Sequence, residues 1–254
     1  MYVNGNYKPV LPQLGFMTPG YGQANVSRDP KSGGITLDAG SGRDQINVNK
    51  GADGLYHVNV NGQDFAFTKQ EMSKLTIKGG SGADQINVGP GVDVPLNVQG
   101  GSGSDTIGNM SSGAKINGGS GNDRIFNASN GSNISGGTGR DQISSFGSGN
   151  NIQGGFGNDF ITSNGAFNNV QGGFGNDKIG VIGYGNNVGG GFGWDNIGVL
   201  GGGNMVQGGF GWDRIAAYGP GNACFGGPGF DSVRSMGPLS FGLDPSLLLL
   251  GCRY

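Results

Sequence analysis

The residues whose chemistry stands out are aspartates, and they recur at a fixed interval. Asp105, Asp123, Asp141, Asp159, Asp177, Asp195, Asp213 and Asp231 follow one another by 18 residues, and Asp84 precedes them by 21. Each sits at the sixth place of Gly-Gly-x-Gly-x-Asp-x-Ile/Val, a pattern that begins at Gly79, Gly100, Gly118, Gly136, Gly154, Gly172, Gly190, Gly208 and Gly226. A weaker copy, Ala39–Ile46, puts Asp44 at the same place. Carboxylates repeated at the spacing of neighbouring strands, about 4.8 Å, repel by roughly 1 kcal/mol even at the dielectric of water. Such a column makes physical sense when cations sit between its members. Calcium suits it best: a hard ion that takes six to eight oxygens, backbone carbonyls among them. The glycines free the carbonyls of two adjacent turns to point at one ion.

Elements must hold these turns in register, and the rest of the repeat supplies them. Each 18-residue unit splits into two nines, such as Gly154–Thr162 and Ser163–Gln171. Both halves carry an aliphatic residue at the eighth place. The resulting ladder runs Ile107, Ile116, Ile125, Ile134, Ile143, Ile152, Ile161, Val170, Ile179, Val188, Ile197, Val206, Ile215, Cys224 and Val233. A β-branched residue between polar ones reads as a short strand with one side chain turned inward. The glycine-rich stretches read as turns that need positive φ. Strand, turn, strand, turn closes one right-handed coil, and coils stack through parallel ladders. The expected fold is therefore all-β: a right-handed parallel β-roll, a β-solenoid of 18-residue coils with the aspartate column on one edge. Two aliphatic side chains per coil make a thin core, so the turns need a further tie.

The nonapeptide resembles that of the repeats-in-toxin family, the hemolysin-type calcium-binding repeats. The resemblance covers Gly79 to about Arg234. It implies that each ion lies between same-side turns one coil apart, held by the nine aspartates Asp84 to Asp231 and by carbonyls around Gly79, Gly100, Gly118, Gly136, Gly154, Gly172, Gly190 and Gly208. Asp44 is a further candidate. Nine aspartates in register then imply up to about eight calcium ions. The other edge departs from the family pattern, with Ala114, Ser132, Asn150, Asn168, Asn186, Asn204 and Asn222 at the matching places. Asparagine offers an oxygen without charge, and this edge reads as tied by stacked amide hydrogen bonds. The alternative is a calcium-independent structural solenoid in which aspartate only shapes turns.

The ends lie outside the period. Residues 1–32 read as a flexible N-terminal segment. Residues 33–78 read as an N-terminal cap: Tyr56–Val60 and Gln63–Phe67 around Asn61-Gly62 form a hairpin, and Thr68 with Glu71 has capping-box spacing for a helical turn over Lys69–Ser73. The roll proper is expected over 79–235. Residues 236–254, with Leu247–Leu250, read as a C-terminal cap or an export signal.

Composition narrows the function. Of 254 residues 59 are glycine, and the net charge is −2, without the basic face that nucleic acid requires. No apolar run approaches the roughly 18 residues of a membrane span. Residues 1–22 lack the basic-then-apolar pattern of a cleaved secretory signal. Cys224 and Cys252 give no metal spacing. His57 is the one histidine, no nucleophile–base set can be assembled around it, and no enzyme is expected. Aromatics gather toward the C-terminus: Phe156, Phe174, Phe192 and Phe210 at the third place, Trp194 and Trp212 at the fifth. They read either as a stack that steadies the turns or as an exposed strip for a protein, a glycan or another copy of the roll. Val181, Ile182, Val199 and Leu200 extend apolar character to turn positions of the opposite edge. The expected function is a secreted or cell-surface bacterial calcium-binding roll that folds on calcium and acts in adhesion, partner contact or as an exported effector. An ice-binding solenoid is the alternative, although only Thr138 supplies threonine at the third place.

Overall fold

A computed structural model describes residues 24–238 and the backbone of 241–243. The expectations for residues 1–23 and for the tail beyond Leu243, including Leu247–Leu250 and Cys252, lie outside the described residues.

The chain opens with β1 (Asn25–Arg28), β2 (Ile35–Asp38), β3 (Gln45–Lys50), β4 (Tyr56–Val60) and β5 (Gln63–Phe67). The single turn of helix α1 (Lys69–Met72) follows, then β6 (Leu75–Ser81), β7 (Gln85–Val88), β8 (Asn97–Ser102) and β9 (Thr106–Asn109). The regular coils are β10 (Lys115–Ser120), β11 (Arg124–Ala128), β12 (Asn133–Thr138), β13 (Gln142–Phe146), β14 (Asn151–Phe156) and β15 (Phe160–Asn164). They continue as β16 (Asn169–Phe174), β17 (Lys178–Ile182), β18 (Asn187–Phe192), β19 (Asn196–Leu200), β20 (Met205–Phe210) and β21 (Arg214–Tyr218). The last elements are β22 (Ala223–Phe225), β23 (Ser232–Met236) and β24 (Phe241–Leu243).

From β6 onward, strands alternate between two sheets, each pairing in parallel with the strand one coil away. Ile116 faces Ile134 in one sheet and Ile125 faces Ile143 in the other, a register of 18 residues. The fold is a parallel β-solenoid of about nine turns. The aliphatic ladder from Ile107 to Cys224 is buried throughout, and Val233 in the last coil is partly covered.

The solenoid begins before the regular repeat. β2 pairs in parallel with β6, and β3 with β7, both at an offset of 40 residues. The weak copy around Asp44 is thus a complete coil, with the hairpin and α1 inserted in its return half. That hairpin has the predicted pairing, Tyr56 opposite Phe67 and Val60 opposite Gln63. Asn61 and Gly62 take positive φ at its turn, 52° and 89°, as a two-residue hairpin loop requires. Thr68 and Glu71 form the predicted capping box. β5 edges one sheet, while β1, inside the segment expected to be flexible, pairs antiparallel with β2 and edges the other. At this end the parallel stack thus finishes on antiparallel strands rather than on a bare coil.

The 21-residue coil also has a use. Its three extra residues widen the loop between β7 and β8, where Val92, Val94 and Leu96 enter the core. Asp93 reaches out of that loop to the cap. It accepts hydrogen bonds from the Tyr56 hydroxyl, from Lys69 Nζ at 2.9 Å and from Lys50 Nζ at 3.4 Å.

Candidate metal column on the aspartate edge

The aspartates line up as predicted, but they face inward. Asp44, Asp84, Asp105, Asp123, Asp141, Asp159, Asp177, Asp195 and Asp213 are each no more than 2% exposed. Asp231, in the last coil, is less covered. One carboxylate oxygen joins the ladder. The backbone N–H of Asp84 donates to Asp105 Oδ1, that of Asp105 to Asp123 Oδ1, that of Asp141 to Asp159 Oδ1 and that of Asp159 to Asp177 Oδ1, each at 2.8 Å. The same bond links Asp213 N–H to Asp231 Oδ1. The residue after each aspartate then donates to the aspartate carbonyl one coil back, as Thr106 does to Asp84 at 2.8 Å. Oδ1 therefore does at the turn what a carbonyl does along a strand.

Asp44 is part of this column, for its N–H donates to Asp84 Oδ1 at 2.8 Å. Among the described residues no coil precedes it, and Asn61 Nδ2 of the hairpin turn donates to Asp44 Oδ1 at 2.6 Å in place of a backbone N–H. Sequence reading gave Asn61 only its turn role. The signal was available in an amide residue carried by a loop inserted beside the first aspartate.

The second oxygen has a different fate. Oδ2 of each column aspartate from Asp44 to Asp213 is buried without a hydrogen-bond partner. A buried polar atom left so is costly, and here it recurs coil after coil. The first-place glycines show what lies beside it. A Cβ on Gly100 would fall 2.4 Å from Asp105 Oδ2 and 2.4 Å from the Gly118 carbonyl oxygen. Gly118, Gly136, Gly154, Gly172, Gly190 and Gly208 repeat the arrangement at 2.3–2.6 Å. Two acceptor oxygens from adjacent coils thus close on the glycine Cα, where a side chain has no room. Among the described residues no three His, Cys, Asp or Glu side chains gather at one point. A donor set of one carboxylate oxygen per coil with backbone carbonyls suits a hard cation such as calcium and does not suit a metal that wants nitrogen or sulfur.

Electrostatics agree with the geometry. Burial pushes the carboxyls of Asp84, Asp141 and Asp195 up to about 6, and those of Asp123 and Asp177 up to about 7, with neighbouring aspartates adding to the rise. Burial also raises Asp44, Asp105, Asp159 and Asp213. The column calls for positive charge, as a proton or as a metal ion.

The opposite edge is the comparison within the same molecule. Ser132 N–H donates to Asn150 Oδ1, Asn150 N–H to Asn168 Oδ1 and Asn168 N–H to Asn186 Oδ1, all at 2.8 Å. Oδ1 plays the same part there as on the aspartate edge. The second atom, however, is an N–H donor. Nδ2 of Asn150, Asn168, Asn204 and Asn222 donates to the carbonyls of Ser129, Gly147, Gly183 and Gly201 at 2.9–3.1 Å. The amide nitrogen of each of these asparagines is thus satisfied by a carbonyl one coil back, whereas the second carboxylate oxygen of the aspartates has no such donor to offer.

The aromatics of the aspartate edge are exposed. Phe156, Phe174, Phe192 and Phe210 stack nearly parallel, with centroids 4.9, 4.9 and 5.0 Å apart. Trp194 stacks on Trp212 at 5.4 Å. On the other edge the structure corrects one expectation. Val181 and Val199 are buried and belong to the core, because they alternate with Ile182 and Leu200 along β17 and β19; only the latter two face solvent. His57 is held by carboxylates, with Nδ1 2.7 Å from Asp64 Oδ2 and Nε2 3.1 Å from Asp53 Oδ2. Among the described residues no helix is long and apolar enough to cross a membrane.

Comparison with known families matches the RTX calcium-binding nonapeptide repeat (4 copies) over residues 36–57, 76–95, 115–131, 128–161 and 145–179. The first of these segments contains Asp44. No curated protein and no solved structure matches the chain.

Proposed function

We propose that this chain, which matches the RTX calcium-binding nonapeptide repeat over several stretches of its roll, is a calcium-binding β-roll and a secreted or cell-surface bacterial protein that folds on calcium and acts by adhesion or partner contact. The observation that carries this reading is the row of buried Oδ2 atoms, each beside a carbonyl of the next coil. The aspartates Asp84 to Asp231, with Asp44, would hold the ions, up to about eight or nine of them, together with carbonyls around the first-place glycines. When bound, calcium supplies the positive charge that lets oxygens of adjacent coils approach. The chain's own residues set the register through Oδ1 and exclude water by burial.

Such an arrangement couples order to location. Calcium is near millimolar outside cells and far scarcer within, so the chain stays loose before export and closes after it. The asparagine edge, tied by its own amides, would need no metal. An ice-binding role loses support from the third place, where exposed phenylalanines stand instead of a threonine ladder. The aromatic strip is the better candidate for contact.

The test is circular dichroism of the whole chain with chelator and with millimolar calcium. The proposal expects disorder in the first and β-structure in the second. Equal β-structure in both would refute calcium-dependent folding.

A further inference from the structure

Apolar exposure is unevenly distributed along the roll. Among the described residues every large apolar side chain that stands in solvent lies at Met110 or beyond, and the densest group is on the aspartate edge. There the phenylalanine stack from Phe156 to Phe210 runs beside Trp194 and Trp212, and Phe230 meets Trp212 edge-on at 5.6 Å. We infer that this strip is the surface on which two copies of the chain pair. The inference rests on the calcium-ordered turns proposed above, since they carry the rings.

Area is the first argument. The seven rings are each 48–70% exposed. At about 200 Å² per aromatic side chain, the strip offers on the order of 800 Å². That equals one partner's share of a standard protein interface, about 800 Å², and exceeds the roughly 300–600 Å² of the largest patch on a typical monomer. Ring geometry is the second. Interplanar angles of 3–8° mean that the faces of Phe174, Phe192 and their neighbours are already covered by one another. What remains exposed is mainly ring edges, whereas a sugar stacks on ring faces. Edges suit another apolar, aromatic surface, as the 90° contact of Trp212 with Phe230 illustrates. Period is the third. The steps of 4.9–5.0 Å are set by coil stacking, and a second copy carries the same steps by construction. A two-fold pair uses one patch twice and closes on itself.

Trp194 and Trp212 are the chain's two tryptophans, so their emission reports on this strip alone. The experiment is sedimentation of the calcium-loaded full chain at micromolar concentration, with tryptophan emission and iodide quenching followed over a dilution series. Circular dichroism on the same samples separates the two levels of the argument: a chain that calcium does not order contradicts the metal reading, whereas an ordered monomer contradicts only the pairing. The expected result is a doubled mass that reverts on dilution, with tryptophan emission blue-shifted and protected in the dimer. The variant Phe192→Ser/Phe210→Ser keeps both tryptophans and should remain ordered but monomeric. If that variant does not fold, the wild-type chain decides alone. A monomeric wild type, a dimer whose tryptophans stay exposed, an ordered variant that still pairs, or a blue shift seen only after adding phosphatidylcholine vesicles would each overturn the inference.

Discussion

At the scale of single residues, the two oxygens of each column aspartate have separate tasks, and substitutions can divide them. Oδ1 keeps the coil in register by accepting the N–H of the preceding aspartate; Oδ2 waits for positive charge. Asp159→Asn retains the first and replaces the second with a donor, reproducing what Asn150 and Asn168 do across the roll. It should stabilise the metal-free coil and reduce the calcium bound. Asp159→Ala removes both and leaves the Asp141 N–H unpaired, at a cost of about 1–3 kcal/mol. The calcium concentration at which half of the β-structure forms, combined with calcium counting, distinguishes the two: it should fall for Asp159→Asn and rise for Asp159→Ala; an equal rise in both would contradict the division of labour. The pH dependence follows from the raised carboxyls. An unfolded aspartate titrates at about 4, while burial in the metal-free roll pushes Asp123 and Asp177 up to about 7. Between those values the folded chain holds more protons than the unfolded one, so its metal-free stability falls as pH rises through that window and then levels off. Circular dichroism in chelator should follow that course, with β-structure falling toward the disorder expected at neutral pH, and calcium should restore it most there. A metal-free β-structure signal that rises with pH over this window would refute the assignment.

At the scale of elements, the cap is tied on by residues from different segments. Tyr56 is fully buried, and its hydroxyl donates to Asp93 in the widened coil. Asp93→Ala leaves that hydroxyl without its acceptor and releases Lys69, which should destabilise the cap by about 1–3 kcal/mol. Hydrogen exchange should quicken over Tyr56–Phe67 while the central coils stay protected; uniform loss across the roll would contradict a local clasp. Much of this level was legible in advance. Asn61-Gly62 named the hairpin turn, Thr68 with Glu71 named the capping box, and the eighth-place ladder named the inward face of every regular strand. Two things were hidden. The first coil has 40 residues instead of 18, and an insertion of that size conceals the period. Val181 and Val199 looked like turn residues because glycine follows soon after, yet alternation along β17 and β19 turns them into the core.

At the scale of the whole molecule, the roll has unlike edges on one scaffold. Asparagine stitches one with neutral amides. Aspartate leaves the other with a buried acceptor in each coil from Asp44 to Asp213, the feature from which the proposed dependence on a cation is argued. The 18-residue period made the column and its members legible from residue types alone. The inward turn of the carboxylates was not legible, because spacing places a side chain at a turn without saying which oxygen the ladder takes. The exposed aromatics lie on the aspartate edge, so the proposed folding on calcium would also govern when they are presented. Calorimetric titration of the metal-stripped full chain with calcium tests this account most directly. It predicts cooperative uptake of several ions accompanied by the heat of folding. A stripped chain that is already compact and takes up no calcium at millimolar concentration would contradict it.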